Sequence, residues 1–140
     1  MKKSFLKFLI LFITYGTIYT IIEAIYKYPK PTHWSMFIVG GLMGYSVGLL
    51  NDMMSWDMSL FQQCLDGGIM ITIVEGISGL ILNVWLGLDV WHYTHYTFFF
   101  GQCCIGFTFL WCLLSGIIII LDDWLRYLWF DEEKPHYYIY

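Results

Sequence analysis

A carboxylate lies inside one of the longest apolar stretches of the chain. Glu75 belongs to the run ITIVEGISGLILNVW, residues 71–85, which also contains Asn83. A charged group at the centre of a bilayer costs about 2.5–3.5 kcal/mol on insertion scales, so a buried acid either keeps a partner or is protonated. We expect Glu75 to be hydrogen-bonded and predominantly neutral. Its candidate donors are a backbone group, Asn83, Gln102 and Tyr19.

Such a residue has two different uses. It can bind or move a proton, a cation or a polar headgroup, which is the usual reason for an acid inside a membrane. It can also serve only as a hydrogen-bonded staple between two helices. The sequence leaves both uses of Glu75 open.

Histidine and carboxylate side chains recur in a second segment. Asp89, His92 and His95 follow one another at every third position, and His33 comes from another loop. Imidazole and carboxylate groups are ligands for Zn and other transition metals. However, residues six apart diverge on a helix, so these side chains do not share one helical face. We therefore predict an interfacial role for them and no metal or cofactor.

The sequence offers no catalytic motif in its required context. It contains no phosphate-binding G-x-x-x-x-G-K-[ST] loop and no H-E-x-x-H pair, and its G-x-S-x-G match, residues 44–48, lies inside the predicted second span rather than between a strand and a helix. We therefore assign no catalytic residue, and any ATP hydrolysis would have to come from another chain. The formal net charge of −4 is spread over loops and ends, so no basic surface for nucleic acid is expected.

Composition indicates which elements hold these side chains. The 140 residues are 59% hydrophobic and 13% charged, whereas a soluble domain carries roughly a quarter of charged residues. A helix that spans a bilayer needs roughly 20 mostly apolar residues. We predict an all-α integral membrane four-helix bundle with short interfacial helices, as a single transmembrane domain over residues 1–140. The predicted spans are about 5–26, 34–50, 67–88 and 101–121.

Two polar segments are predicted to lie at the membrane surface. The segment NDMMSWDMSLFQQCLDG, residues 51–67, would form a short interfacial helix capped by Asp57 or Ser59. The C-terminal segment 122–140 would lie in the headgroup region as a salt-bridged helix end. Its interfacial charged residues are Asp122, Asp123 and Arg126.

Helical periodicity places the polar side chains on inward faces. At 100° per residue, Glu75, Gly79 and Asn83 fall in one arc of the third span, so this face is predicted to point into the bundle. Glu23 in the first span and Gln102 in the fourth would face the same seam, with Glu23 hydrated near its helix end. Close helix packing is predicted at small residues. The glycines concerned are Gly40, Gly44, Gly48 and Gly79.

Basic residues predict the orientation. With four spans, one side of the membrane would hold both termini with Lys2, Lys3, Lys7, Arg126 and Lys134, and the other side would hold Lys27 and Lys30. Lysine and arginine concentrate on the cytoplasmic side of membrane proteins. We therefore expect a multi-pass protein of the plasma membrane with both termini in the cytoplasm.

Four ordered blocks resemble a known family. The blocks THWSMFIVGGLMGYSVGLLND, EGISGLILNVWLGLDVWHY, GQCCIGFTFLWCLLS and LDDWLRY, followed by EEKPHY, are similar to the ABC-transporter type IV permease family of small bacterial membrane proteins. The resemblance covers about residues 33–137, and the family's W-D-Y-S motif reads WHYT at 91–94, which differs at two positions. It implies a permease that works with a separate ATPase subunit or as a homo-oligomer in the lipid bilayer. The positions that it marks are Glu23, Glu75, Asn83, Asp89, Trp91, Tyr93, Gln102 and Asp123.

Three functions are compatible with these features. The first is movement of a small solute or ion through a polar seam around Glu75, which predicts a water-accessible path to this residue. The second is an intramembrane enzyme that uses Glu75 and Glu23 as acid and base on a lipid or isoprenoid, which predicts a lateral opening to lipid. The third is a non-catalytic accessory or assembly subunit, which requires neither.

Overall fold

The computed structural model describes residues 2–140, most of which lie in four long helices. Met1 and the side chains of Lys2 and Lys3 lie outside the described part. The two lysines were counted above among the basic residues that predict the orientation. Each of the four helices is long and apolar enough to cross a membrane. The chain is therefore an all-α, multi-pass membrane protein, as predicted. The helices are α1 (Lys2–Lys27), α2 (Ser35–Met53), α3 (Leu60–Gly79) and α4 (Ile105–Phe130).

The second helix lies at the centre of the bundle. The α1 helix packs mainly against α2, α3 packs mainly against α4, and α2 joins the two pairs by contacting both α3 and α4. The buried apolar cluster accordingly takes most of its members from α2. The α1 and α4 helices pack less closely than these pairs and meet through side chains such as Tyr19 and Trp111. The cluster consists of Met36, Val39, Met43, Val47, Ile71, Trp111 and Ile119.

Glycines allow α2 to approach its neighbours. A Cβ atom added at Gly40 or Gly44 would collide with the Tyr19 or Tyr15 side chain of α1, respectively. A Cβ atom at Gly48 would lie 2.7 Å from a carboxylate oxygen of Asp122 on α4. The small residues of α2 thus bring both α1 and α4 against it, because a larger side chain would occupy the space of these neighbours.

The third helix starts earlier than predicted. It begins at Leu60 rather than near residue 67, because the Ser59 hydroxyl accepts a hydrogen bond from the Gln62 backbone N–H at 3.3 Å and caps the helix. The polar side chain of Gln63 is satisfied locally, since its amide donates to the Met58 carbonyl at 2.9 Å. The predicted interfacial helix is therefore the first part of α3 itself, and of its two predicted caps, Asp57 and Ser59, the structure shows Ser59.

The third helix ends in a widened turn. It continues as a π-helical segment, Leu80–Trp85, in which the Leu86 backbone N–H donates to the Ile81 carbonyl at 2.9 Å, five residues back. Such segments insert one extra residue per turn and often mark functional regions. The segment directs Asn83 toward the loop formed by residues 86–104, which we call the cap loop.

The fourth helix is displaced toward the C-terminus. It starts at Ile105 and ends at Phe130, where Asp131 takes a left-handed conformation (φ 57°) and donates its backbone N–H to the Arg126 carbonyl. The preceding residues form a small antiparallel pair, Thr97–Phe98 with Cys103–Cys104. The predicted start near residue 101 was therefore wrong, and Gln102 lies in the cap loop rather than on a helix face.

Candidate intramembrane carboxylate site

Glu75 is held by two donors from outside its own helix. Its side chain is only 3% exposed. The Tyr93 hydroxyl donates to Oε1 at 2.6 Å, and the Trp111 indole N–H donates to Oε2 at 3.1 Å. Both carboxyl oxygens are therefore bound by neutral groups. The predicted donors, Asn83, Gln102 and Tyr19, were wrong.

The two donors come from elements that meet above α3. Trp111 lies on α4, one turn after Phe107, and the two rings are 5.8 Å apart. Tyr93 lies in the cap loop and packs on the same Phe107 ring at 5.0 Å. Burial and the nearby Glu75 carboxylate raise the pKa of Tyr93, so its hydroxyl stays protonated and remains a donor. The sequence contained one indication that Trp111 would be a donor. A tryptophan inside an apolar helix needs an acceptor for its indole N–H when it is buried.

A buried thiol completes the surroundings of Glu75. Cys103 is 1% exposed, and its sulfur donates to the Thr72 carbonyl at 3.5 Å. Burial, followed by the charge of Glu75, raises the pKa of this thiol to about 12. The thiol is therefore neutral at physiological pH, and the carboxyl group has uncharged neighbours on this side.

Asn83, Trp91 and Gln102 fasten the cap loop to the end of α3. The Asn83 amide donates to Gln102 Oε1 at 2.9 Å and to the Trp91 carbonyl at 3.2 Å, and its oxygen accepts from the Val90 N–H at 2.7 Å. The Trp91 indole N–H donates to the Gln102 carbonyl at 3.2 Å. A Cβ atom at Gly79 would lie 2.6 Å from Gln102 Oε1, so this glycine makes room for the contact. These residues position the loop that carries Tyr93.

A large cavity leads to Glu75 from the end of the bundle that carries the cap loop. Its volume is 960 Å³. It is bounded by α1, α2, α4 and the cap loop, and Glu75 lines it from α3. Asn83 and Gln102 do not line it. The residues of the predicted polar seam therefore fall into two sets, one that lines the cavity and one that attaches the cap loop to α3. The predicted site residues that do line it are Glu23, Glu75, Asp89, Trp91 and Tyr93.

Glu23 places a second carboxyl group in this cavity. We expected it to be hydrated, but it is only 8% exposed. Its Oε1 pairs with Lys27 Nζ at 2.6 Å, and the same ammonium group donates to the Val90 carbonyl at 3.0 Å. In the described part of the chain, the buried Oε2 atom of Glu23 has no hydrogen-bond partner.

Aromatic rings form much of the cavity wall. Tyr19 of α1 faces Trp111 of α4 at 6.4 Å, and Tyr26 meets Phe107 edge-on at 6.5 Å. Asp89, His92 and His95 also line the cavity. Over residues 2–140, no group of three or more His, Cys, Asp or Glu side chains is arranged to hold a metal ion.

A narrower apolar slot adjoins the cavity between α1 and α4. Its volume is 90 Å³, and its lining is almost entirely apolar. Tyr19, Met43 and Trp111 line both the slot and the cavity. The apolar slot and the polar cavity therefore share part of their walls.

The charged residues predicted at the interface are buried at the opposite end. Asp122, Asp123 and Arg126 are 0%, 7% and 4% exposed, respectively. The predicted ion pair within one turn of the helix is confirmed between Asp122 and Arg126. Arg126 Nε donates to Asp122 at 2.5 Å, and Nη1 donates to Asp52 at 2.6 Å. The Tyr15 hydroxyl also donates to Asp122. These side chains therefore face α1 and α2, where they contact Tyr15, Asn51 and Asp52.

The C-terminal segment covers this charged cluster. Asp123 accepts hydrogen bonds from the Asn51 amide at 2.6 Å and from the Tyr137 hydroxyl at 2.8 Å. Burial and this bond to Asp123 raise the pKa of Tyr137, which therefore remains a donor. The Leu60 N–H donates to the Tyr138 carbonyl at 2.6 Å, so the segment is attached to the start of α3.

Together, these features define a multi-pass membrane protein with a buried carboxyl site that is reached by a cavity from one end. Comparison with models of known protein families, with curated proteins and with solved structures finds no significant match. The resemblance to the ABC-transporter type IV permease family therefore stays a prediction.

Proposed function

We propose that the protein is a membrane transport component that admits a small solute or ion to Glu75. The observation that carries the proposal is the 960 Å³ cavity, which reaches this carboxyl group from one end of the bundle. A water-accessible path to Glu75 is what transport requires and what a purely structural staple does not. The permease resemblance supports the same class of function.

The surroundings of Glu75 suit reversible binding. Its two oxygens are held by a hydroxyl and an indole N–H rather than by a basic side chain. Neutral donors hold the carboxyl group in place and leave its charge available to an incoming cation or proton. Below Glu75, the apolar side chains of Met43, Val47 and Ile71 close the route. This arrangement corresponds to a conformation that is open to one side.

Replacing the titrating group tests the proposal. We expect Glu75→Gln to fold normally but to lose uptake or growth in a strain that depends on the gene, because the amide keeps the shape and removes the charge. Glu75→Leu should also be destabilised, by about 1–2 kcal/mol for a lost interhelical hydrogen bond. The exposed Glu133→Gln variant is the matched control. Full activity of Glu75→Gln with normal thermal stability would contradict the proposal and leave Glu75 with only a structural role as a hydrogen-bonded link between helices.

We further propose that the protein lies in the plasma membrane with both termini in the cytoplasm. The described ends of α1 and α4 meet at one end of the bundle, where Lys7 pairs with Glu132. This end carries Lys7, Arg126 and Lys134, whereas the other carries Lys27 and Lys30. Cysteine variants at positions 30 and 134 should react with an impermeant reagent from opposite sides. Reaction of both from the same side would contradict the topology.

A partner is part of this proposal. Four spans are few for a complete permease, and the sequence has no nucleotide-binding motif. A second copy of the chain or a separate ATPase subunit would complete the transporter. Size determination of the protein extracted in a mild detergent would identify either assembly.

The apolar slot favours one alternative, an intramembrane acid–base enzyme that acts on a lipid or isoprenoid. The observation behind this alternative is that Tyr19, Met43 and Trp111 line both the slot and the cavity that holds Glu23 and Glu75. Ile118→Trp would fill the slot and leave the cavity lining unchanged. A lipid substrate would be excluded by this variant, whereas the passage of a small solute would continue.

A further inference from the structure

One carboxyl oxygen in the cavity lacks the partner that its burial demands. Within the described residues, Glu23 Oε2 is buried and accepts no hydrogen bond. A buried acceptor without a donor costs about 1–3 kcal/mol, and more when it is charged. The neighbouring Lys27 ammonium is already engaged by Glu23 Oε1 and by the Val90 carbonyl. A donor from a bound molecule would remove this cost.

The cavity walls favour a cationic donor. Glu23, Glu75 and Asp89 line the cavity, and so do Lys27, Lys30, His92 and His95. Because Lys27 already pairs with Glu23 Oε1 and donates to the Val90 carbonyl, the group that lacks a partner is a carboxyl oxygen, which accepts from a donor and repels an anion. The aromatic rings of Tyr19, Trp91, Tyr93 and Trp111 line it as well, and such rings attract ammonium groups through their negative faces. Carboxyl groups combined with aromatic walls are the usual surroundings of a bound organic cation.

We infer that the cavity binds a protonated amine, whose N–H group donates to Glu23 Oε2 while the aromatic walls surround the rest of the ammonium. This inference rests on the proposed function and names the chemical class of its ligand. The amine comes either from water, as a free alkylammonium ion, or from the bilayer, as an amine-bearing headgroup. In the second case, the attached chain would occupy the slot beside Tyr19 and Trp111.

A titration with two small probes of equal length tests the inference. The full-length protein in dodecyl maltoside is titrated with ethanolamine, and the fluorescence of its tryptophans is recorded, since Trp91 and Trp111 line the cavity. Ethylene glycol, which has a hydroxyl in place of the ammonium, is the control. We expect a saturable change with ethanolamine and none with ethylene glycol. Equal responses, or no response to ethanolamine, would overturn the inference.

Two variants with opposite expected effects separate binding from folding. Glu23→Gln should weaken ethanolamine binding at least about tenfold, the size of a charge-assisted hydrogen bond. Lys27→Gln should strengthen it, because the Glu23 carboxylate loses its internal cation. A folding defect would weaken binding in both variants, so opposite changes support the inference. Unchanged affinity in Glu23→Gln, or weaker binding in both variants, would overturn it.

Binding measurements in lipid nanodiscs identify the source of the amine. Protein in discs that contain phosphatidylethanolamine should bind ethanolamine more weakly than protein in phosphatidylcholine discs if the headgroup occupies the cavity. Equal affinity in the two discs identifies a free amine.

An independent measurement keeps the two proposals distinguishable. Val39 lines the cavity, and Val39→Cys in a background without the four native cysteines is labelled with an impermeant thiol reagent. Labelling without ethanolamine binding overturns the amine and leaves solute access to Glu75 in place. If neither labelling nor binding occurs, both the amine and the proposed function fail.

Discussion

Buried charge is stabilised in two different ways at the two ends of the bundle. Glu75 has neutral donors, Tyr93 and Trp111, whereas Asp122 has a cation, Arg126, one turn away on the same helix. A buried ion pair gains little net stability, but the loss of one member leaves an uncompensated charge. The Asp122–Arg126 end should therefore govern stability, while the Glu75 end remains free to change its charge.

Removal of Arg126 tests this division at the scale of a residue. We expect Arg126→Met to lower the free energy of unfolding by about 3–5 kcal/mol, because Asp122, which is 0% exposed, loses its cation. Thermal melts of the purified variants in detergent would measure the effect. The exposed Lys134→Met removes the same charge type and should melt like the wild type. A similar small shift in both would contradict a structural role for the cluster.

The sequence identified Glu75 but not its partners. An acid in an apolar run is visible directly, whereas its donors lie 18 and 36 positions away and depend on tertiary packing. The same limit applies to Asp122 and Arg126. Asp122 and Arg126 follow the predicted fourth span, which indicated a position at the membrane surface. The sequence did not show that α4 continues to Phe130 and holds both side chains between helices.

At the scale of elements, small residues determine how closely the helices pack. Gly40 and Gly44 on α2 lie against tyrosine side chains of α1. Their spacing of four positions was visible in the sequence, and it predicted close packing without identifying the neighbouring helix. The starts of α3 and α4 were harder to predict. The polar residues near the start of α3 indicated a separate interfacial helix, and residues 101–104, GQCC, were assigned to the fourth span although they precede α4.

Gly44→Leu should separate α1 from α2. The new side chain would occupy the position of the Tyr15 ring, so we expect a large drop in thermal stability or loss of the folded monomer. Gly106→Leu is the matched control, since the nearest atom to a Cβ there is 3.9 Å away. Size-exclusion profiles and melts would compare the two variants. Wild-type stability of Gly44→Leu would mean that this face of α2 points to lipid.

The π-helical segment is expected to hold the cap loop through Asn83. Asn83→Leu removes the partners of the Val90 N–H and the Trp91 carbonyl, which are partly buried, at a cost near the lower end of the about 1–3 kcal/mol for buried groups left unpaired. Hydrogen exchange of the backbone amides in residues 86–93 should become faster. The exposed Val84→Leu should leave exchange unchanged. Equal exchange in the two variants would show that other contacts position the loop.

At the scale of the whole molecule, the two ends of the bundle have different roles. One end holds a cavity and the cap loop, and the other is covered by the C-terminal segment, where Tyr137 bonds to Asp123. The apolar cluster around Met43, Val47 and Ile71 lies between them. Composition and run length predicted the class and the number of spans, because hydrophobicity depends on residue type alone. The cavity required the packing of four helices and a loop, and no periodic pattern encodes it.

Solvent access along α2 tests the central claim most directly. Val39 and Val47 are both buried on this helix, at 3% and 1% exposure, but only Val39 lines the cavity. Each is replaced by cysteine in a background without the four native cysteines, and an impermeant thiol reagent is added from the side of the cap loop. We expect Val39→Cys to react much faster than Val47→Cys, and only from that side. Equally slow labelling of both positions would contradict a path from the membrane surface to Glu75.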